Sequence, residues 1–226
     1  MSNLKLEIRG KVSRAFARKT QSTIGALPLY ARTALEHESF QFVAGDKLPK
    51  LHPGLARNGQ FSGFNAPTLK TIFVAKHRYV PMDQRWENSK SIKSSIFHEV
   101  GHFVDLFLKG DGNYYGRWGS DDPSFQAAFE QDVSYLKKTD FAVLVSNLPK
   151  SRFLDDNKRL FQELFIQSPQ ARREVYANVW SHIHDPKLTS WPGFTNCFPN
   201  CSAIVREHIE DLRQQNMHGA VAQQPK

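Results

Sequence analysis

The sequence predicts an α+β protein with a small sheet in its N-terminal half and a mostly helical C-terminal half. The segment LKTIFVAKHRYV (69–80) is rich in β-branched and aromatic residues and stops before a proline, which is typical of a strand. Further along the chain, apolar residues recur at helical spacing. This periodicity predicts helices over 91–109, 124–138, 140–147, 157–167, 170–184 and 203–215.

Composition divides the chain into three segments. Residues 1–35 form a basic, partly helical leader, residues 36–215 form the main domain, and residues 216–226 form a frayed tail. The formal net charge is +8, and much of it lies in the leader. Such a segment suits nucleic acid, an acidic protein, a membrane surface or a targeting role, and it also fits a solvated basic helix. No nucleic-acid motif accompanies it.

The sequence lacks the features of a membrane-spanning protein, of a Sec-exported protein and of a four-cysteine zinc protein. No stretch approaches the roughly 18 apolar residues of a membrane span, and the first residues lack the apolar core of a Sec signal peptide. The two cysteines, Cys197 and Cys201 in CFPNC, are too few for a four-cysteine zinc site. They predict two reduced thiols, with a small disulfide loop as the alternative.

The stretch SSIFHEVGHFVDLF (94–107) contains an HExxH motif on a predicted amphipathic helix. On a helical wheel the apolar residues fill one broad arc, and His98, His102 and Asp105 lie almost opposite its centre. Histidines four residues apart stack one turn apart, so both imidazoles can reach one metal ion. Glu99 lies beside them, where its carboxylate can activate the attacking water. Asp105 is placed to accept the free ring N–H of a histidine.

A catalytic zinc site needs a third protein ligand, and the sequence must supply it downstream. The metzincin extension is absent, because FVDLFLKGDG after His102 contains neither its glycine nor its histidine. Glu174 is the favoured ligand, since Ser168 and Pro169 begin its helix and its position is opposite the apolar arc. Glu163, in LFQELF, is the alternative. The motif therefore predicts one Zn²⁺ per chain.

These residues resemble a known family. HEVGHFVD followed by EVYANVWSHIHD is similar to the gluzincin-type peptidase domain of anthrax toxin lethal factor and related bacterial effectors. The family pattern falls on His98, Glu99, His102, Asp105, Glu174, Ala177 and Trp180. DPSFQAAFEQDV also resembles a connecting helix of that domain, and the similarity covers about residues 70–185.

The resemblance implies a zincin-like fold and zinc-dependent hydrolysis of peptide bonds in a protein substrate. It also implies a bacterial effector or toxin, secreted by a non-Sec route, that acts on host proteins; otherwise the chain is cytoplasmic. Two alternatives to this function are a DNA-associated zinc protease and a non-catalytic binding module on the same fold. The strand at 69–80 would form the cleft edge and pair with an extended substrate, or else it is an interior strand.

The sequence departs from the family at three places. A longer gap between His102 and Glu174 implies an inserted segment around 138–160. Asn178 stands where the family often has an acidic residue, and Gln167 stands where relatives have the tyrosine that donates to the oxyanion. Tyrosines elsewhere are therefore the candidates for that donor: Tyr114, Tyr115, Tyr79 and Tyr176.

Overall fold

A computed structural model describes residues 4–59, 61–80, 83–89, 91–107, 118–138, 168–187 and 194–222, with only the backbone for 215–222. Its fold is α+β, as the sequence predicts. The chain forms two compact units, residues 1–103 and 104–226. The boundary falls inside helix α4 (Ile92–Phe107), so the last residues of that helix belong to the second unit.

The first unit contains, among its described residues, a five-stranded mixed sheet. Its strands are β1 (Lys5–Arg9), β2 (Gln41–Lys47), β3 (Gly63–Ala66), β4 (Thr71–Val80) and β5 (Arg85–Asn88). Along the sheet the order is β1-β2-β4-β3, and β5 pairs with the end of β4. The pairs β1–β2 and β2–β4 are parallel, whereas β3 and β5 run antiparallel to β4. Strand β1 shows that residues 5–9, within the basic segment 1–35, are part of this sheet.

Strand β4 is an interior strand, so the expectation that residues 69–80 form the cleft edge is wrong. Ile72 pairs with Phe42 of β2 on one side, and Phe73 pairs with Phe64 of β3 on the other. The first five residues of β4 are all buried. On the side of β4 away from β2, β3 pairs with its first half and β5 with its last residues. Residue types indicate a strand, but neighbouring strands decide whether it is an edge.

Besides most of α4, the described residues of the first unit form helices α1 (Arg14–Gly25), α2 (Leu29–His37) and the single turn α3 (Leu48–Leu51). Helix α1 begins where the side chain of Ser13 accepts a hydrogen bond from the N–H of Phe16 at 3.2 Å, a typical N-cap. Phe16 and Ile24 on this helix are buried. One face of the sheet and the α3 region share an apolar cluster: Val43, Leu48, Leu51, Leu55, Ala66, Phe73 and Ala75.

The second unit is helical over its described residues. Its helices are α5 (Pro123–Lys138), α6 (Pro169–His184), the single turn α7 (Phe194–Cys197) and α8 (Pro199–Ala222). The predicted helices at 124–138 and 170–184 are confirmed within one residue, and the one at 203–215 is part of the longer α8. Those at 140–147 and 157–167, with the inserted segment around 138–160, lie almost wholly outside the described residues. Helix α8 continues into the segment 216–226 as far as Ala222.

A buried carboxylate from α5 caps the start of α8. Asp132 accepts hydrogen bonds from the backbone N–H of Asn200 at 3.3 Å and of Cys201 at 2.9 Å. These N–H groups lie in the first turn of α8, where a helix has no backbone acceptors of its own and where the helix dipole favours negative charge. Cys197 and Cys201 are both free and buried. Burial raises the pKa of the Cys201 thiol.

In the part of the chain that the structure describes, no helix is both long enough and apolar enough to cross a membrane.

Candidate metal centre

Helix α4 carries the HExxH motif, and its apolar arc is buried as predicted. Ile96, Phe97 and Val100 are almost inaccessible to solvent, and the ring of Phe103 makes an edge-to-face contact with Phe40 at 4.7 Å. His98 and His102 lie on another part of the helix surface and are only half-buried. The amphipathic packing of α4 therefore places both imidazoles where a ligand can reach them.

The two imidazoles converge on one point. Nε2 of His98 and Nε2 of His102 lie 3.1 Å apart, with the ring planes at 86° to each other. Two imidazole nitrogens on one tetrahedral zinc, each at about 2.05 Å, lie roughly 3.3 Å apart. The observed separation is close to this value. At this distance the two nitrogens share a hydrogen bond, and the same separation is compatible with two ligands of a single ion.

Glu99 lies next to this pair in sequence and is 9% exposed. Its carboxylate oxygen Oε2 accepts a hydrogen bond from the backbone N–H of Asn65 at 2.8 Å. A buried carboxylate needs such a donor, because an unpaired charge away from water is costly. Glu99 is therefore held by strand β3 as well as by its own helix.

Further polar contacts connect strand β3 and the residue before it to helix α4. The hydroxyls of Ser62, just before β3, and Ser95 of α4 are 2.6 Å apart, and Nδ2 of Asn65 donates to the backbone oxygen of Glu99 at 3.3 Å. The Oδ1 atom of Asn65 is buried without a hydrogen-bond partner among the described residues. Sequence reasoning missed this strand, because GFNA is short and lies in a stretch (44–68) rich in glycine and proline.

The favoured third ligand, Glu174, lies on α6. The predicted start of this helix is confirmed, since Ser168 Oγ accepts from the N–H of Ala171 at 3.1 Å and Pro169 occupies the first turn. The predicted apolar arc is also buried at Val175, Tyr176, Val179 and Trp180. The Glu174 side chain is half-buried, and its Oε1 accepts a hydrogen bond from Nε2 of Gln170 at 2.9 Å.

His98 and His102 belong to the first compact unit and Glu174 to the second, and together they are the three ligands that the sequence predicts. Two imidazoles and one carboxylate are a donor set that zinc accepts at catalytic sites. The residues present therefore fit the ion that the motif implies. Glu163, the alternative ligand, lies outside the described residues.

Asp105 differs from the expectation that it faces the polar side of α4. It is fully buried, and its carboxylate accepts hydrogen bonds from Ser120, at 2.6 Å from the backbone N–H and 2.8 Å from the hydroxyl. A helical wheel cannot show this burial, because Ser120, which donates to the carboxylate, is 15 positions away in the chain. The structure thus joins Asp105 to Ser120. Burial raises the pKa of the Asp105 carboxyl to about 8.

We expect Asp105→Asn to become more stable relative to the wild type as pH rises from 5 to 7. The folded state holds the Asp105 proton up to about pH 8, whereas an unfolded chain releases it near its ordinary pKa of 3.8. Stability from this group is therefore present at low pH and is lost as pH rises. Asparagine keeps an acceptor for the Ser120 N–H and a donor for its hydroxyl without this proton linkage.

The measurement is the free energy of unfolding in denaturant at several pH values, with chelator present so that metal binding does not contribute. The difference between the asparagine variant and the wild type should grow by about 1.4 kcal/mol per pH unit. Asp211→Asn, at an exposed position on α8, serves as the control and should show a flat difference. A flat profile for Asp105→Asn as well would contradict the prediction.

Of the other residues suggested as supports for the ligands or as donors to the oxyanion, the structure describes three. Asn178 donates from Nδ2 to the backbone oxygen of Glu174 at 2.8 Å, a bond within one helix turn. Tyr176 is fully buried, and its hydroxyl lies 3.3 Å from Nδ1 of His208. The ring of Tyr79 packs against Trp86 at 5.5 Å. Tyr114 and Tyr115 lie outside the described residues.

The chain was compared with protein-family models and with curated protein sequences, and neither comparison gave a match.

Proposed function

We propose that this protein is a zinc-dependent endopeptidase that hydrolyses peptide bonds in a protein substrate. The observation that supports this best is the convergence of the His98 and His102 Nε2 atoms at 3.1 Å, with Glu99 beside them in the HExxH order. One further feature is consistent with the proposal: the backbone N–H of Asn65 in strand β3 donates to the Glu99 carboxylate and holds it in place.

Each residue has a definite part in this proposal. His98, His102 and Glu174 would hold the metal, and zinc, when bound, would supply a Lewis acid that polarises the scissile carbonyl and acidifies water. The Glu99 carboxylate would take a proton from the attacking water and pass it to the nitrogen of the leaving amine. The buried surroundings of Glu99 strengthen such electrostatic effects, because little water competes for the carboxylate.

The Glu99 base distinguishes a peptidase from a binding module on the same fold. Holding zinc requires the two histidines and a third ligand, whereas a carboxylate next to the first histidine contributes to the chemistry of hydrolysis. A binding module does not require this residue. Proteolysis is therefore the function that the residues of the site support best. The lethal factor-like resemblance extends the proposal to a secreted effector that acts on host proteins.

The experiment compares wild-type protein with Glu99→Gln. Each zinc-loaded protein is incubated with lysates of animal cells and of bacteria, and new peptide termini are identified by mass spectrometry. We expect termini in the wild-type sample that are absent from the Glu99→Gln sample, because loss of the base removes at least about a hundredfold in rate. Both proteins should retain zinc. Equal sets of termini in the two samples would contradict the proposal, and the lysate that is cleaved indicates the source of the substrate.

A further inference from the structure

Gly63 of β3 lies so close to Glu99 that no side chain fits between them. A Cβ atom added to Gly63 would lie 2.7 Å from Cγ and 2.8 Å from Oε1 of Glu99. Non-bonded carbon atoms are most stable about 3.5–4.0 Å apart, so such a contact is strongly repulsive. The atoms in the way, Cγ, Oε1 and Cδ of Glu99, belong to a side chain that can rotate and not to the backbone. A methyl group at position 63 would therefore displace the Glu99 carboxylate rather than unfold the strand.

Asn65 holds Glu99 from the same strand. Residues two apart in a strand point to the same side, so Asn65 follows Gly63 along the side that faces α4. Its N–H donates to Oε2 of Glu99 at 2.8 Å, and its side chain donates to the Glu99 backbone oxygen at 3.3 Å. Gly63 thus limits where the carboxylate can lie, and Asn65 attracts it to one position.

We infer that Gly63 and Asn65 are positioning residues for Glu99, with Gly63 acting through its lack of a side chain. This inference rests on the proposed function for its consequence in catalysis, because it takes Glu99 as the base. A catalytic group displaced by about 1 Å can lose roughly a hundredfold in rate. The contacts themselves are independent of any reaction.

Two other glycines make the inference testable by comparison. A Cβ on Gly25, the last residue of α1, would meet nothing within 4 Å. A Cβ on Gly45 of β2 would meet the side chain of Leu51 and, at 2.7 Å, the backbone oxygen of Arg9. Because backbone cannot rotate away, Gly45→Ala should damage the fold. Gly25→Ala is therefore the matched neutral control, and Gly45→Ala shows what a structural defect looks like.

The first measurement is steady-state kinetics of zinc-loaded proteins on a peptide that the wild type cleaves. Gly63→Ala should reduce kcat about a hundredfold with little change in KM, in zinc content or in melting temperature. Gly25→Ala should behave as the wild type, whereas Gly45→Ala should melt at a lower temperature. If Gly63→Ala retains kcat within threefold, or loses activity only in parallel with zinc, the inference is overturned.

The second measurement does not depend on activity. Hydrogen exchange of the backbone N–H of Asn65, followed by NMR in the metal-free protein, reports directly on the hydrogen bond from this group to the Glu99 carboxylate. Exchange should be at least tenfold faster in Gly63→Ala and in Glu99→Ala than in the wild type, and unchanged in Gly25→Ala. If the backbone N–H of Asn65 exchanges as slowly in Gly63→Ala and in Glu99→Ala as it does in the wild type, the inference is overturned. Faster exchange together with a wild type that cleaves nothing would refute the peptidase proposal and leave the positioning contacts supported.

Discussion

Replacing both His98 and His102 with alanine is expected to abolish zinc binding. Their Nε2 atoms are 3.1 Å apart and are two of the three proposed ligand atoms, so a single substitution already leaves at most two proposed ligands. We expect each single variant to lose on the order of 4 kcal/mol of zinc affinity, about a thousandfold in Kd. Competition with a chromophoric chelator measures the affinity, and elemental analysis of the purified protein measures zinc per chain.

The matched control is His37→Ala. This histidine lies at the end of α2 with a side chain that is 74% exposed, so its loss should leave zinc content near one per chain. Melting temperatures of the metal-free proteins should be recorded as well, since a ligand substitution ought to change metal binding more than it changes the apo fold. Full zinc occupancy in the double histidine variant would show that the metal binds elsewhere.

Removal of Glu174 is expected to release zinc, whereas removal of Glu163 is not. Glu174 is half-buried on the capped helix α6, and two imidazoles hold zinc weakly without a charged partner. Glu174→Ala should therefore cost several kcal/mol of zinc affinity and should abolish hydrolysis. With Glu174 as the third ligand, Glu163→Ala should leave the zinc affinity and the hydrolytic activity near those of the wild type.

A chelator titration of the two variants side by side distinguishes the assignments. Glu207→Ala, at an exposed position on α8, is a control for the loss of one negative charge. Glu174→Gln is informative too, because it keeps an oxygen ligand but removes the charge, and it should bind zinc with intermediate affinity. If Glu163→Ala releases the metal while Glu174→Ala retains it, the third ligand is Glu163 and the resemblance to the lethal factor-like peptidases weakens.

The sequence by itself determined the helices that carry the proposed ligands. HExxH within a strongly amphipathic stretch predicts α4 with both histidines outside its apolar arc, and the structure has them there, half-buried. Ser168 and Pro169 likewise predict the start of α6, and the N-cap bond is present. These features depend on neighbours within a few residues, which periodicity and capping rules capture.

The tertiary structure alone decided the surroundings of those helices. Strand β4 has the residue types of any buried strand, and only its pairing with β2 and β3 makes it an interior one. Asp105 has a polar side chain on a predicted polar face, yet Ser120, 15 residues away, covers it. The contacts of Gly63 and Asn65 with Glu99 are between residues 34 or more positions apart. Contacts at such separations depend on how the chain folds back on itself, which local sequence patterns do not record.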